Sequence, residues 1–407
     1  MKTCTLILSI ACVFSPYLTA QSPYQPSDTL TQIIVDTSHT DFNDTLYNKA
    51  SYFLFREQLD SAGYYINSLI NDLSSKDELK SPLGLKARLI QINILELVHE
   101  RGDAIDEIFQ LEKDCISGED WITLSRVYLI AALAYEYNQV FPLSKSYLDK
   151  CNNLILEHNL ELIYPRYCFR LHSYYRQLGL KENEISYKDS VSYFIQEALN
   201  SSKELYQLES GNYTQRQYED FSDMYGEALK YYALTFFEEQ DPQRIEYLIE
   251  SKKVWERVQN DYHLGMAYRS LAPEYQKMGA LNTALIYSDS SIYYLNNGYP
   301  LESTLYNLSS SLTYGSRASI LKDMNELDSA YYYLDLSHDY SLEFEKSKVD
   351  EKFKAIEARN FDLILKEQQS KMLQTKKWNK TLLVLLSCIT ILIFTIIFFY
   401  LKLQKAN

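Results

Sequence analysis

Turn-forming residues are scarce along this chain. Its 407 residues include 11 glycines and 9 prolines, less than half of their average combined share of about 12%. This scarcity predicts few turns and long regular elements, and it argues against sandwiches, barrels and glycine-rich nucleotide folds. Because 46% of the residues are hydrophobic, the chain has enough apolar material for a core, and wholesale disorder is excluded.

The charge of the chain narrows the range of expected partners. It has 40 Lys and Arg residues against 54 Asp and Glu residues, for a formal net charge of −14. Such a charge repels a phosphate backbone, and no basic stripe offsets it in the body of the chain. Nucleic acid is therefore not an expected partner.

Residues 1–20 have the pattern of a secretory signal peptide. Lys2 precedes a short apolar run at residues 6–14, and Leu18-Thr19-Ala20 offers a cleavage site. An uncleaved anchor is the alternative, although the apolar run is too short to cross a bilayer comfortably. The pattern predicts an exported chain in which a linker at residues 21–40 precedes the body.

Residues 381–401, near the other end, carry no charge. As a helix they would span about 31 Å, the thickness of a hydrocarbon core. Trp378 and Tyr400 stand where interfacial aromatic residues are expected, and lysines lie on both sides. We therefore predict one C-terminal transmembrane helix, a cytoplasmic tail at residues 402–407, and a single-pass inner-membrane protein whose body lies in the periplasm.

Three cysteines fall in the body: Cys115, Cys151 and Cys168. Their number is odd and no C-x-x-C spacing occurs, so neither a disulfide framework nor a zinc site is indicated. We expect buried free thiols, and a bridge between Cys151 and Cys168 stays open.

A unit recurs along the body. Residues 59–65 (LDSAGYY) return at residues 327–333 as LDSAYYY. Small residues also stand twelve apart, and a bulky residue follows the first of each pair by three. The pairs are Ala50 and Ala62, Ala132 and Ser144, Ala272 and Ala284, and Ala318 and Ala330; the bulky residues are Phe53, Tyr135, Tyr275 and Leu321. Two antiparallel helices approach closely only where both carry a small side chain, so each unit is predicted to be a helical hairpin.

At these positions the sequence resembles the tetratricopeptide repeat (TPR). The best copy is Leu271, Ala272, Tyr275, Gly279 and Ala284, while other copies keep the small pair and lose the glycine. Units recur every 40 to 46 residues instead of 34, and residues 187–266 fit the register poorly. The resemblance covers roughly residues 41–345 and implies an all-α, TPR-like superhelical solenoid.

A long helix is predicted between the repeats and the apolar segment, at residues 346–378. Its seam residues are Leu342, Val349, Phe353, Ile356 and Leu363. An apolar row at every seventh position indicates a weak coiled coil, through which a homodimer could form. A solvated linker helix without a partner is the alternative.

Sequence motifs for chemistry are absent. No P-loop, G-x-G-x-x-G, G-x-S-x-G, H-E-x-x-H or EF-hand string occurs, and the six histidines are scattered. We therefore predict no enzyme, no cofactor and no metal. The 37 tyrosines fit either an aromatic binding surface or ordinary filler between helices.

The order of signal peptide, repeats, stalk and span resembles the sensor half of Gram-negative membrane regulators that carry periplasmic TPRs. We expect neither their histidine kinase nor their helix-turn-helix output here, so neither activity is carried over. We expect a membrane-anchored module that binds a protein or peptide on its concave face, with a sensing role in signalling. A passive scaffold for an envelope complex is the alternative, and an enzyme would need a cleft in residues 187–266.

Overall fold

The computed structural model describes residues 42–56, 58–97, 101–182, 187–207, 215–298 and 304–347. The chain divides into two units, Met1–Thr45 and Leu46–Asn407. Of the first unit only residues 42–45 are described, and they are helical. All contacts below lie within the second unit. The predicted signal peptide (1–20), linker (21–40) and tail (402–407) lie outside the described residues.

The regular elements within these ranges are helices, and no β-strand occurs in them. In chain order they are α1 (Phe42–Phe55), α2 (Leu59–Ser75), α3 (Pro82–Leu97), α4 (Arg101–Gly118), α5 (Trp121–Tyr137), α6 (Phe141–His158), α7 (Tyr164–Glu182), α8 (Lys188–Gln207), α9 (Gln215–Phe236), α10 (Pro242–Val258), α11 (Asp261–Lys277), α12 (Leu281–Gly298), α13 (Thr304–Asp323) and α14 (327–347, where the described part ends).

Consecutive helices pair into hairpins. The most extensive contacts join α5 with α6, α7 with α8, α9 with α10 and α11 with α12. The first helix of a hairpin also contacts the first helix of the next, as α3 does α5, α5 does α7, and α11 does α13. This arrangement of antiparallel pairs stacked in sequence order confirms the predicted all-α, degenerate TPR-like repeat fold.

The hairpin crossings are built from the small residues singled out in the sequence. Ala50, Ala62, Ala132, Ser144, Ala272, Ala284, Ala318 and Ala330 are all buried, with at most 8% of their surface exposed. Leu271, Tyr135 and Leu321 are also buried, and Phe53 and Tyr275 are partly buried. Three of the bulky residues contact an aromatic ring twelve positions later: Phe53 with Tyr65, Tyr135 with Tyr147, and Tyr275 with Tyr287, at centroid distances of 5.5, 5.7 and 5.0 Å.

A backbone hydrogen bond closes each of these corners in the same way. The carbonyl of the bulky residue accepts from the N–H five residues later, as in Tyr135 with Val140 and Tyr275 with Ala280, both at 2.9 Å. In three of the corners the residue before that N–H is left-handed: Gly279 has φ +75°, Gln139 has φ 58° and Asn325 has φ 63°. Glycine is the usual choice for this C-terminal cap, so the hairpins with Gln139 and Asn325 hold a strained residue in the same conformation.

A second recurrent bond joins the two helices of a hairpin near their other ends. A hydroxyl or thiol on the second helix donates to a carbonyl 25 or 26 residues earlier on the first helix. The bonds are Cys151 to Ser125 (3.7 Å), Ser251 to Gly226 (2.7 Å), Ser291 to Gly265 (3.0 Å) and Ser337 to Ser311 (2.7 Å). Small residues therefore let the helix backbones approach at both ends of the hairpin, mostly alanines near the corner and hydroxyl or thiol side chains near the other end.

The predicted membrane architecture needs correction. Among the described residues, no helix is both long enough and apolar enough to cross a bilayer. The most apolar helix, α5, has 17 residues and carries Arg126 and Glu136, whereas a span needs about 20 predominantly apolar residues. The fold class and the single-pass inner-membrane location are corrected accordingly, and the all-α repeat array is what remains. Residues 381–401, on which that prediction depended, lie outside the described residues.

The predicted stalk is described only at its start. Leu342 lies on α14 and is 55% exposed, so it takes no part in the packing of the repeats. The other seam residues, Val349, Phe353, Ile356 and Leu363, lie outside the described residues, and the predicted coiled coil and homodimer stay predictions.

Candidate polypeptide-binding surface

Charged and polar side chains gather where the first helices of three consecutive hairpins face one another. We call this surface the first-helix face. Its members are Arg126 and Glu136 on α5, Arg166, Arg170, Ser173 and Arg176 on α7, and Asp220, Asp223, Lys230 and Tyr231 on α9. On α7 these residues recur at intervals of three and four, which places them along one side of the helix.

A small cavity opens in this face, with a volume of about 40 Å³. An ion pair crosses it from α5 to α9, with Arg126 Nη2 3.1 Å from Asp220 Oδ2. The side chain of Arg126 is 36% exposed and that of Asp220 is 19% exposed, so a partner can reach both. The lining residues are Arg126, Leu162, Ile163, Arg166, Gln217, Asp220, Phe221 and Met224.

A buried carboxylate connects α5 to α7. Ser173 Oγ donates to Glu136 Oε1 at 2.6 Å, and Glu136 is 6% exposed. Burial raises the pKa of the Glu136 carboxyl, while the charges of Arg170 and Arg176 and the Ser173 hydroxyl oppose that rise. The Glu136 carboxylate therefore accepts its hydrogen bond from within the first-helix face, from Ser173.

A second carboxylate connects α9 to α11. Asp223 Oδ1 lies 2.8 Å from His263 Nε2, and the imidazole stacks on Trp255 at 4.8 Å. Burial alone would raise the pKa of the Asp223 carboxyl, but His263, Arg166 and Lys230 lower it below its ordinary value. The carboxylate is thus held charged between the fifth and sixth hairpins.

Beside this pair, Trp255 is completely buried against a glycine. A Cβ atom on Gly226 would lie 2.7 Å from the indole ring, so only glycine admits the tryptophan at this place. The ammonium of Lys230 lies over the same indole at 5.4 Å and over the Tyr231 ring at 4.6 Å. This lysine is only 2% exposed.

The first hairpin reaches across to the fifth and sixth. Asn260 Nδ2 donates to the Phe55 carbonyl at 2.9 Å, and Arg56 donates to the Val258 carbonyl at 3.3 Å. Arg56 also lies 3.4 Å from Glu219, and Phe55 packs against the Trp255 cluster. We call these contacts the clasp, because they join residues 163 to 205 positions apart in the sequence.

The tyrosines divide between the two alternatives left open by the sequence. In two adjacent pairs one ring is exposed, Tyr64 (69%) and Tyr293 (58%), while its neighbour packs inside the hairpin. Tyr231 and Tyr232, on α9, are both partly buried. Both exposed rings lie on second helices. The first-helix face is therefore mainly charged, and Tyr231 is its aromatic member.

The body cysteines are free and buried. Burial raises the pKa of each thiol to about 12, so each stays protonated and unreactive at neutral pH. Cys151 and Cys168 form no bridge. Across the described ranges, no group of three or more His, Cys, Asp or Glu side chains could hold a metal ion.

Sequence reasoning did not identify the residues of the first-helix face. Asp220, Asp223, Lys230 and Tyr231 all fall in the segment 187–266, which fits the repeat poorly. That poor fit was the available signal. It marked the region where a polar cleft could form. The partner arginines on α5 and α7 lie in ordinary repeats, where no sequence feature distinguishes them from other surface charges.

No protein-family model matches the chain, and no curated protein matches it. Solved helical-repeat structures do resemble it. A Rap protein complexed with Competence and Sporulation Factor has a TM-score of 0.47 and 13% identity, covering 75% of this chain and 78% of the other. The apo form of RapI has a TM-score of 0.44 and 10% identity, covering 79% and 88%. A STAND signal-transduction ATPase with a TPR sensor from Pyrococcus horikoshii has a TM-score of 0.35 and 15% identity, covering 84% and 56%. Similarity at this level carries no inference about function.

Proposed function

We propose that this protein is a polypeptide-binding module and that its partner docks on the first-helix face. The observation that carries the proposal is the cavity crossed by the Arg126–Asp220 pair. Two arginines, an acid and an amide line it beside apolar side chains, a combination that suits a peptide with both polar backbone and side chains. Repeat arrays commonly present such surfaces to other polypeptides.

The Arg126–Asp220 pair is suited to exchange. A partly exposed ion pair contributes about 0–1 kcal/mol to stability, so separating it costs little. A bound peptide could then offer a carboxylate to Arg126 and an N–H group to Asp220. Arg126 Nε is also buried without a hydrogen-bond partner, which leaves a donor for an incoming acceptor.

Binding, and not catalysis, is the proposed activity. The thiols are protonated and inert, and the acids Glu136 and Asp223 are engaged with Ser173 and His263. These groups position one another, and none is left as a nucleophile or as a base beside the cavity. The module could sense its partner or only hold it. The clasp favours sensing, because it joins the first hairpin to the region beside the first-helix face.

The test is selection from a random peptide library by three immobilised chains: wild type, a variant with both Arg126→Ala and Arg166→Ala, and the matched control Lys86→Ala. Lys86 is an exposed residue of α3. We expect wild type and the control to select the same peptides. The double variant should bind them about tenfold or more weakly, as for the loss of a charge-assisted hydrogen bond. Equal affinity for all three chains would contradict the proposal, provided that circular dichroism shows the double variant to be folded.

A further inference from the structure

Three side chains that each carry a buried nitrogen atom lie near the ring of Tyr231. The Lys230 ammonium lies 4.6 Å from the ring centroid, the Arg176 guanidinium carbon 5.1 Å, and the His172 ring centre 5.7 Å. His172 Nε2, Arg176 Nε and Lys230 Nζ are all shielded from solvent and form no hydrogen bond within the described structure. We call this group the Tyr231 cluster.

Buried polar groups are normally paired. Leaving one without a partner costs about 1–3 kcal/mol, and more when the group is charged. Contact with an aromatic face compensates a cation in part, but a ring supplies no hydrogen-bond acceptor. Two cationic donors within one cluster therefore indicate a place for a group that brings acceptors.

The acids nearest to the cluster are already engaged. Glu136 accepts from Ser173, and Asp223 is bound to His263. Arg170 adds a further positive charge near Glu136. Carboxylates therefore lie in the surroundings of the two cations. None of them is hydrogen-bonded to Arg176 Nε or to Lys230 Nζ.

His172 completes the wall of the site as a neutral group. Its Nδ1 lies 3.0 Å from the Val191 carbonyl, so Nδ1 carries the proton and donates. Burial lowers the pKa of the imidazole to about 4, which leaves Nε2 as an acceptor at neutral pH. That atom can take an N–H of the neighbouring guanidinium while the other donors turn to a ligand.

We propose that the Tyr231 cluster is a carboxylate subsite, in which Arg176 and Lys230 together bind an acidic group of the docked polypeptide. The identification rests on the proposed function, because the cluster lies on the same first-helix face. Tyr231 and Arg176 are only partly buried, so an acidic group reaches the cations from that side. The carboxylate belongs either to an Asp or Glu side chain or to the peptide's C-terminus.

The first test uses a small probe on the full chain. Thermal unfolding is followed in glutarate and in its neutral analogue glutaramide at equal ionic strength. Glutarate should raise the Tm of wild type and of the control Lys86→Met, and glutaramide should not. Lys230→Met, which keeps the length of the side chain, should abolish the shift, because it removes one of the two cations that would bind the carboxylate. Arg176→Gln should also abolish the glutarate shift.

Two results would overturn the carboxylate subsite. One is the absence of any glutarate shift in wild type. The other is an equal shift in wild type and in both variants, which would place the anion elsewhere on the surface. A cluster satisfied by water alone gives the first result.

The second test asks which carboxylate is bound. Peptide libraries that contain Asp and Glu are compared with libraries carrying Asn and Gln instead, each with free and with amidated C-termini. Enrichment of internal acids identifies a side chain, and a requirement for the free terminus identifies the terminal carboxylate. In either case Lys230→Met should weaken the selected peptides about tenfold. Selected peptides without acidic preference would refute the subsite and leave the proposed function standing. If no library binds, the proposed function fails, and the glutarate shift still decides the subsite.

Discussion

The third and fifth hairpins solve the same packing problem in different ways. In the third, Ala132 and Ser144 are both small and buried, and Tyr135 stacks on Tyr147. In the fifth, the residue twelve after Ala233 is Ile245, and close approach is made instead by one glycine, Gly226, which accepts the indole of Trp255.

The two hairpins contribute differently to the candidate site. The third hairpin follows the repeat and still supplies Arg126 and Glu136 to the first-helix face. The fifth departs from the repeat and carries Asp223, Lys230 and Tyr231 on its first helix. The departure from the repeat pattern thus coincides with these polar residues, and such departures are expected at functional sites.

The largest expected effect comes from removing the residue that fills the fifth hairpin. Trp255→Ala should lower the free energy of unfolding by about 3–5 kcal/mol, the range for truncating a fully buried large side chain. Chemical denaturation with a far-ultraviolet readout measures it. A loss below 1 kcal/mol would mean that Trp255 does not support this hairpin.

The polar region should also make stability depend on pH. His172 is 1% exposed, and burial lowers its pKa from 6.5 to about 4. Because the unfolded chain then takes up a proton first, stability should fall as the pH drops from about 6.5 to 4, by up to about 3 kcal/mol. His172→Phe should flatten that slope. A slope unchanged by the substitution would assign it to other groups, such as the carboxylates that titrate at lower pH.

Two glycines offer a matched comparison. In Gly226→Ala the new methyl group meets the Trp255 ring, so we expect a loss of about 1–3 kcal/mol from overpacking. In Gly63→Ala, on α2, no atom lies within 4 Å of the added carbon, and helix propensity predicts a gain of about 0.5–1 kcal/mol. Effects of the same sign on denaturation midpoints would contradict the special role of Gly226.

Two N-terminal caps isolate the smallest effect, that of the clasp. Asp241 caps α10 by accepting from Gln243 N–H, and Asn260 caps α11 by accepting from His263 N–H. Each change to Ala should cost about 1 kcal/mol, and Asn260→Ala should lose about 1 kcal/mol more with the bond to Phe55. Equal losses in the two variants would show that the clasp adds nothing to stability.

The hairpins were predictable because their signal is local. Two small residues twelve apart and a bulky one between them lie within a single unit, and the period of the helix turns that spacing into a contact. The corners were predicted from the same spacing, with Gln139 and Asn325 at the position that Gly279 holds in the best copy, but their left-handed backbone was not predicted, because neither residue is glycine. There the packed hairpin imposes a conformation that local preference opposes.

The candidate site was not predictable from the same signal. The Arg126–Asp220 pair joins residues 94 positions apart, and a lone arginine in a regular repeat resembles any solvated charge. Only the stacking of α5, α7 and α9 brings the two together. The membrane assignment depended on the hydropathy of residues 381–401, and no helix of the described residues is long and apolar enough to cross a bilayer.

The clasp changes what kind of object this repeat array is. An open array gains stability from neighbour to neighbour, so its ends can fray without disturbing the middle. Here the hydrogen bonds of Asn260 and Arg56 join the corner of the first hairpin to the connection between α10 and α11. Loosening the first hairpin would therefore change the packing around Trp255 and His263. Any partner that competes for Phe55 or Arg56 would therefore act at a distance on the charged groups of α9.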